Sequence, residues 1–430
     1  RPGAFTQTIA GVVPSAAQGA RAVHVTPGSS STRPRCRFDD VSRSCGVTDY
    51  TFETTPRVVV TDGSAARLAW YASERGMRRV LVVTDQALRR TGILDDALAS
   101  FSKAGVSLSV FDGVAADPPE SCIHDAVAQA REESVDGIIG LGGGSSLDTA
   151  KLVALLARTP QPLDEAYGIN RARGPRLPLI QVPTTAGTGS EVTPIAIVTS
   201  PDREKKGVVS TLLYPDLALL DASLTLGLPS RVTAMTGIDA MVHAIEAYTS
   251  KLKKNHLSDG LAVRALLLLS DNLRRVLHDG RDLTARSAML QGAMLAGMAF
   301  ANAPVAAVHA LAYPIGGHFH VPHGLSNALV LMPVLRFNQP VADAQYGELA
   351  GALRRDGAAA CDARTGDAFV RAMEELVADL GLERRLRDVG VAEGDLELLA
   401  TDAMKVQRLL VNNPREVTLD DARALYREAF

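Results

Sequence analysis

From Arg57 onward, short Val/Ile/Leu runs alternate with longer stretches whose apolar residues recur at helical spacing. Val58–Val60, Val80–Thr84, Val106–Phe111 and Gly137–Leu141 read as strands, and Ser64–Arg75, Gln86–Phe101, Glu120–Glu132 and Ser146–Arg158 read as helices. Such an alternation predicts βα units around a parallel sheet. Leu179–Val182, Ile195–Thr199 and Leu217–Leu220 form a second group, expected to extend that sheet or to add a hairpin. After Pro229 the pattern changes to helices only: Ser230–Thr249, Leu257–His278, Thr284–Asn302 and Asp367–Leu380. The expectation is an α/β domain over residues 49–228 followed by an all-helical domain over residues 229–430.

Residues 1–48 stand apart, with no period in their hydrophobic residues. Within residues 1–38 there are Arg1, Arg21, Arg33, Arg35 and Arg37 but no acidic residue, a composition that suits either a disordered extension or an organellar transit peptide. A cytoplasmic location is expected, or an organellar matrix if this segment is a transit peptide.

Ser287–Leu335 contains no Asp, Glu, Lys or Arg. It is nevertheless interrupted by Pro304, Pro314, Pro322 and Pro333 and carries His309, His318, His320 and His323, which a membrane-spanning helix would tolerate poorly. Buried helices with functional polar residues are expected here, and no membrane span. The charge balance agrees with a globular chain that does not bind nucleic acid: 45 Lys+Arg against 48 Asp+Glu leaves a net charge of −3, without the basic footprint that phosphate backbones demand. Cys36, Cys45, Cys122 and Cys361 form no CxxC pair, so a zinc knuckle and a thioredoxin-like motif are both excluded.

Two glycine-rich segments carry candidate chemistry. Gly142, Gly143, Gly144, Ser145 and Ser146 join a buried strand to a helix, where backbone N–H groups and the helix dipole favour a pyrophosphate. The spacing is not GxGxxG, and a turn capped by Ser145 and Asp148 is the simpler alternative. In Pro183–Ser190, Thr184, Thr185 and Thr188 sit among glycines just after a strand, where hydroxyls can bond phosphate or ribose oxygens. Asp85, at a strand's C-terminal end, can accept from ribose hydroxyls and repel a 2′-phosphate, which favours NAD over NADP; capping the next helix is its other reading.

Asp239 and His243 are spaced i, i+4 on one face of an apolar helix. Joined by His309 and His323 from the uncharged segment, they make a mixed N/O set suited to one divalent first-row ion, Fe(II) or Zn(II). His318 and His320 lie between two of these ligands and are alternatives for a metal or proton-carrying part. His256 and His278 read as surface residues, and Glu246, one turn beyond His243, reads either as a residue that orients the His243 ring or as a helix-surface residue.

The phrases GGGSSLDTAK (142–151), PTTAGTGSEVT (183–193), GIDAMVHAIEAY (237–248) and PHGLSNA (322–328) resemble, in order and spacing, those of the iron-containing, group III alcohol dehydrogenases. The resemblance runs from about residue 49 to Phe430. It implies a Rossmann-like NAD(P)-binding domain and a helical metal-binding domain in a dehydroquinate synthase-like architecture, with the active site between them. It also implies hydride transfer between NAD(H) and a primary or secondary alcohol or the matching aldehyde or ketone. Asp239, His243, His309 and His323 fall on the family's metal ligands. Gly142 to Ser146, Thr184, Thr185, Thr188, Thr193 and Lys205 fall on its cofactor positions, with Lys206 one residue away from the last. Asp85 falls on the acidic position associated with NAD. A small-molecule substrate and a homodimer or larger homo-oligomer are expected.

One departure concerns the proton route. Many members carry a further histidine four residues after the third ligand, and here that position is Tyr313. A phenol donates a hydrogen bond but rarely accepts a proton near neutral pH. Tyr313, His309 and His320 are therefore the candidate catalytic residues. The departure resembles the hydroxyacid–oxoacid transhydrogenase branch, in which NAD stays bound, although the 14-residue step from His309 to His323 has the compact form of simple alcohol dehydrogenases. A dehydroquinate synthase-like lyase is the alternative from another reaction class.

Overall fold

A computed structural model describes residues 49–201, 204–353 and 365–430. The extension expected over residues 1–48 lies outside the described residues, as does Cys361.

The first half carries nine strands: β1 (Val58–Val60), β2 (Arg79–Val83), β3 (Ser107–Phe111), β4 (Gly137–Gly142), β5 (Gly168–Ile169), β6 (Leu179–Pro183), β7 (Ile195–Thr199), β8 (Lys205–Val209) and β9 (Leu217–Leu220). Its helices are α1 (Leu68–Ser73), α2 (Gln86–Arg90), α3 (Asp95–Ala104), α4 (Glu120–Glu132), α5 (Gly144–Arg158) and α6 (Leu163–Ala166). Six strands form one sheet in the order β1-β9-β6-β4-β2-β3, with every pairing parallel. Leu81, Val83 and Ile138 face α4 and α5 on one side, while Val80, Val82, Ile139 and Leu141 face α1 and α3 on the other. Burial on both faces explains why these strands read as continuous apolar runs rather than alternating ones. From β2 the chain passes to β3 on one side and later to β4 on the other, so the strand order reverses at the β2/β4 pair. Ligands of open α/β sheets bind beyond the carboxyl ends of the strands at such a reversal.

Two local expectations are corrected. The stretch Gln86–Phe101 is two helices, because Gly92 adopts φ +74° and ends α2, and Asp95 and Asp96 then open α3. Of the second strand group, β6 and β9 join the main sheet, but β7 pairs antiparallel with β8 in a separate three-stranded sheet, order β5-β8-β7. The sequence reading missed β8 because its two leading lysines hide the strand period.

The second half is helical: α7 (Ser230–Thr249), α8 (His256–His278), α9 (Leu283–Asn302), α10 (Ala307–Phe319), α11 (His323–Ala350), α12 (Gly366–Asp379), α13 (Leu396–Ala403), α14 (Gln407–Leu410) and α15 (Leu419–Ala429). No single helix among the described residues is long and apolar enough to cross a membrane; α9 and α10 pass the length and composition test only as a pair bent by 106°. Both contribute to the same buried core as α7, α8 and α11. The uncharged segment is thus the centre of this helical core, as its composition suggested.

The threonine loop meets α9 without intervening side chains. Gly189 has φ +60°, and a Cβ there would stand 2.6 Å from Gly297 Cα; a Cβ on Gly297 would stand 2.9 Å from Gly189 Cα. Two glycines are needed for this approach.

Candidate active site

The long helix α7 carries Asp239 and His243 one turn apart on a buried face, 3% and 5% exposed. His309 comes from the first turn of α10, and His323 is the first residue of α11. The three Nε2 atoms lie 3.8 Å (His243), 3.7 Å (His309) and 3.6 Å (His323) from Asp239 Oδ1. All four ligand atoms fall within 4.8 Å of one another. An ion about 2.0–2.2 Å from four such atoms would hold them roughly 3.3–3.6 Å apart, so the three distances from Asp239 already lie close to what a cation requires.

The electrostatics point the same way. Burial pushes the His243 imidazole down to about 3, against the pull of Asp239, so it presents a lone pair rather than a proton at neutral pH. For Asp239, burial opposes ionisation, but the three imidazoles and the Asn327 amide outweigh it and hold the carboxyl below its usual range. Asn327 Nδ2 donates to Asp239 Oδ1 at 2.6 Å and lies 3.3 Å from His309 Nε2 and 3.4 Å from His323 Nε2. Three acceptor atoms thus crowd around one amide nitrogen, which is the chemistry of a site that takes a positive charge.

Neighbouring residues fix the rings. Glu246 Oε2 lies 2.6 Å from His309 Nδ1, which places the imidazole proton on Nδ1 and frees Nε2. The same carboxylate accepts from Ala306 N at 2.9 Å and Val308 N at 2.6 Å, capping α10, whose own N-cap Ala306 has no acceptor side chain. Glu246 therefore orients His309, not the His243 expected from its spacing. The His243 ring stacks instead on Phe300, 4.3 Å between centroids, and on His309, 4.7 Å.

This cluster forms one wall of a cleft of about 360 Å³ that also reaches Gly144, Ser145, Thr188, Thr193 and Lys205. The 15-residue helix α5 begins at Gly144, and no side chain caps its N-terminus. The alternative cap by Asp148 is not formed; that carboxylate accepts from Ser190 Oγ at 2.6 Å and from Ile197 N at 2.9 Å. A Cβ on Gly144 would stand 2.6 Å from Thr188 Cγ2, so the glycine is what lets the threonine loop close over the turn. Thr184 N donates to Gly142 O at 2.9 Å and Thr185 lies beside Gly143, which seats both threonines against the turn. The Ser146 side chain is buried behind it. An uncapped helix start facing a cleft lined by hydroxyls fits a dinucleotide's diphosphate.

Other expected residues divide. Lys205 lines the cleft, pairs with Asp117 at 2.6 Å and donates to Thr199 Oγ1, whereas Lys206 lies over the Tyr167 ring. Asp85 caps α2 by accepting from Leu88 N at 2.7 Å and does not line the cleft. Tyr313 lines the cleft, its ring 5.9 Å from that of His323. His320 is a correction: it ends α10 in the left-handed conformation, φ +55°, exposed and outside the cleft. His318 also turns away, 2.6 Å from Asp402.

Sequence reasoning missed Lys151. Its ammonium is fully buried and donates to Ser190 Oγ at 2.8 Å, Thr193 Oγ1 at 3.1 Å and Ile195 O at 2.6 Å, with Asp148 at 3.6 Å. Burial lowers it to about 8. One signal could have shown it: a lysine one turn beyond an aspartate on an otherwise apolar helix face needs a buried partner.

Comparison with known proteins gives the same assignment. Residues 55–222 match the family described as iron-containing alcohol dehydrogenase, and residues 233–430 match the Fe-containing alcohol dehydrogenase family, C-terminal. A long-chain-alcohol dehydrogenase of Geobacillus thermodenitrificans is 39% identical over 371 residues, 86% of this chain and 93% of that protein. A 1,3-propanediol dehydrogenase of Klebsiella pneumoniae is 35% identical, covering 83% and 92%. Among solved structures, an alcohol dehydrogenase from Oenococcus oeni superposes with a TM-score of 0.84 at 33% identity, over 89% of this chain and all of that one. The chain belongs to the iron-containing alcohol dehydrogenase family and is an oxidoreductase that uses NAD(P) and a divalent metal.

Proposed function

We propose that the protein interconverts a small alcohol and its aldehyde or ketone with NAD(H), using Fe(II) or Zn(II) held by Asp239, His243, His309 and His323. The observation that carries this reading is that the four convergent ligand atoms and the uncapped start of α5 open onto one cleft.

A bound divalent ion would supply Lewis-acid polarisation of the substrate oxygen, and the nicotinamide would supply hydride transfer. The chain's own residues prepare both. The Glu246 carboxylate holds the proton on His309 Nδ1, keeping Nε2 available. Phe300 packs against His243 and keeps water from that side of the ligand set. Gly142 to Ser146 present backbone N–H groups to the diphosphate, with Thr184, Thr185, Thr188 and Thr193 around it and Lys205 further along the cleft. Asp148 and Lys151 clamp Ser190 and Thr193, so the loop is set before the cofactor arrives. Tyr313 Oη offers a hydroxyl hydrogen bond beside His323 where many relatives offer an imidazole. Asp85 follows β2 at the carboxyl end of the strand pair where the order reverses, and although it lies outside the cleft lining, its charge would disfavour a 2′-phosphate there. A homo-oligomer and the domain division at about Leu228 complete the reading.

The test is turnover of a panel of short alcohols, diols, hydroxy acids and aldehydes by protein reconstituted with Fe(II) or Zn(II), followed by NADH absorbance. His309→Ala is expected to lose both turnover and bound metal. Full activity of that variant without metal would sink the proposal.

A further inference from the structure

Most of the charged groups that line the cleft have a partner of opposite charge or an imidazole beside them. Lys205 is matched by Asp117, and Lys151 by Asp148. Asp239 faces the three imidazoles. Two further cations line the cleft, Arg408 and Lys253, and neither makes an ion pair among the described residues. The two belong to one rim: Arg408 is on α14, and Lys251 N, just before Lys253, donates to Asn412 O at 2.7 Å, which ties that loop to the end of α14.

Arg408 is linked to the metal-ligand cluster through Tyr313. The Arg408 guanidinium carbon lies 5.9 Å from the Tyr313 ring centroid, and that ring lies 5.9 Å from the His323 ring. Arg408 is thus two such steps from the metal-ligand cluster. It also reaches across the cleft toward β8, where a Cβ on Gly207 would stand 3.6 Å from its Nη2. Pro304, Val305, Ala312 and Leu409 add apolar lining to the same cleft. A guanidinium without an ion-pair partner in such a cleft selects an anion, and its planar fork suits an oxyanion best.

We propose that the substrate carries, a few carbons from its reacting alcohol or aldehyde carbon, a terminal oxyanion (carboxylate or sulfonate) that Arg408 and Lys253 receive. This rests on the reading of the same cleft as an alcohol dehydrogenase site and names its substrate class. Hydride transfer is unchanged: the alcohol carbon is oxidised, NAD is reduced, the hydroxyl proton leaves to solvent, and the anionic end takes no part.

The experiment compares the metal- and NAD-loaded enzyme on matched substrates: 4-hydroxybutanoate against pentan-1-ol, and 2-hydroxyethanesulfonate against propan-1-ol. Binding of the unreactive anion butanoate is followed in parallel by calorimetry. The wild type is expected to favour the anionic member of at least one pair, and the better pair distinguishes carboxylate from sulfonate. Arg408→Ala should lower the charged-to-uncharged ratio of kcat/KM at least about tenfold and weaken butanoate to the same degree, with Arg408→Lys recovering part of both. Preference for the uncharged member in both pairs overturns the anion proposal and leaves the dehydrogenase reading standing. Loss in Arg408→Ala of NAD affinity alone, with the substrate ratio unmoved, also overturns it. No turnover of any of the four alcohols overturns both.

Discussion

Glu246 Oε2 and His309 Nδ1 are 2.6 Å apart, and the other contacts of that carboxylate are the backbone N–H groups that open α10. One buried side chain therefore sets both the tautomer of a ligand and the position of the helix that carries it. Glu246→Gln keeps the shape but offers one acceptor oxygen where three donors compete. Metal affinity is expected to fall by about 10–100-fold, read by competition with a chelator. An unchanged affinity would show that the ring is held by packing alone.

Lys151 links helix α5 to the loop that follows β6, through Ser190 and Thr193, and to the start of β7, through Ile195 O, by three hydrogen bonds made where no water reaches. Lys151→Met is expected to raise the KM for NAD while leaving metal content at the wild-type level. Loss of the buried ammonium's hydrogen bonds should also cost about 1–3 kcal/mol of unfolding free energy, measured in urea. Lost stability with an unaltered KM would make Lys151 a structural residue only.

Gly144→Ala would drive its methyl into Thr188 Cγ2. Weaker NAD binding is expected, and Thr188→Ser in the same chain, which removes that methyl, should restore most of it. The double variant binding no better than Gly144→Ala would show that the glycine is required for the cofactor's own approach.

Glu191 titrates out of its usual range because burial pushes it up to about 7. Between the ordinary value of 4.5 and about 7 the folded state holds more protons than the unfolded one, so this group's contribution to stability declines as pH rises through that window. Glu191→Gln cannot titrate. Its melting temperature relative to the wild type should therefore climb from pH 4.5 to pH 7, and parallel curves would refute the shift.

Much of this was legible in the chain. Doubly buried strands leave uninterrupted Val/Ile/Leu runs, and a 49-residue stretch without formal charge could only be core, so the histidines within it demanded a purpose. Tertiary relationships left weaker traces. Glu246 sits one turn from His243, and only the folding of α10 across α7 shows that its partner is His309. His320 looked equal to its neighbours until the left-handed end of α10 turned it to solvent. Arg408 lies in no motif, because its part comes from the short helix that brings it over Tyr313.

The meeting of Gly189 with Gly297 bears on how the enzyme can move. Bare main chains in contact leave no flexible side chain to yield between them, so the loop and α9 have no room to slide along each other. Any relative displacement of the two would have to pivot at that spot rather than shear through it. The same helix carries Phe300, which stacks on His243, so the bare contact seats the threonine loop on the element that also backs a metal ligand.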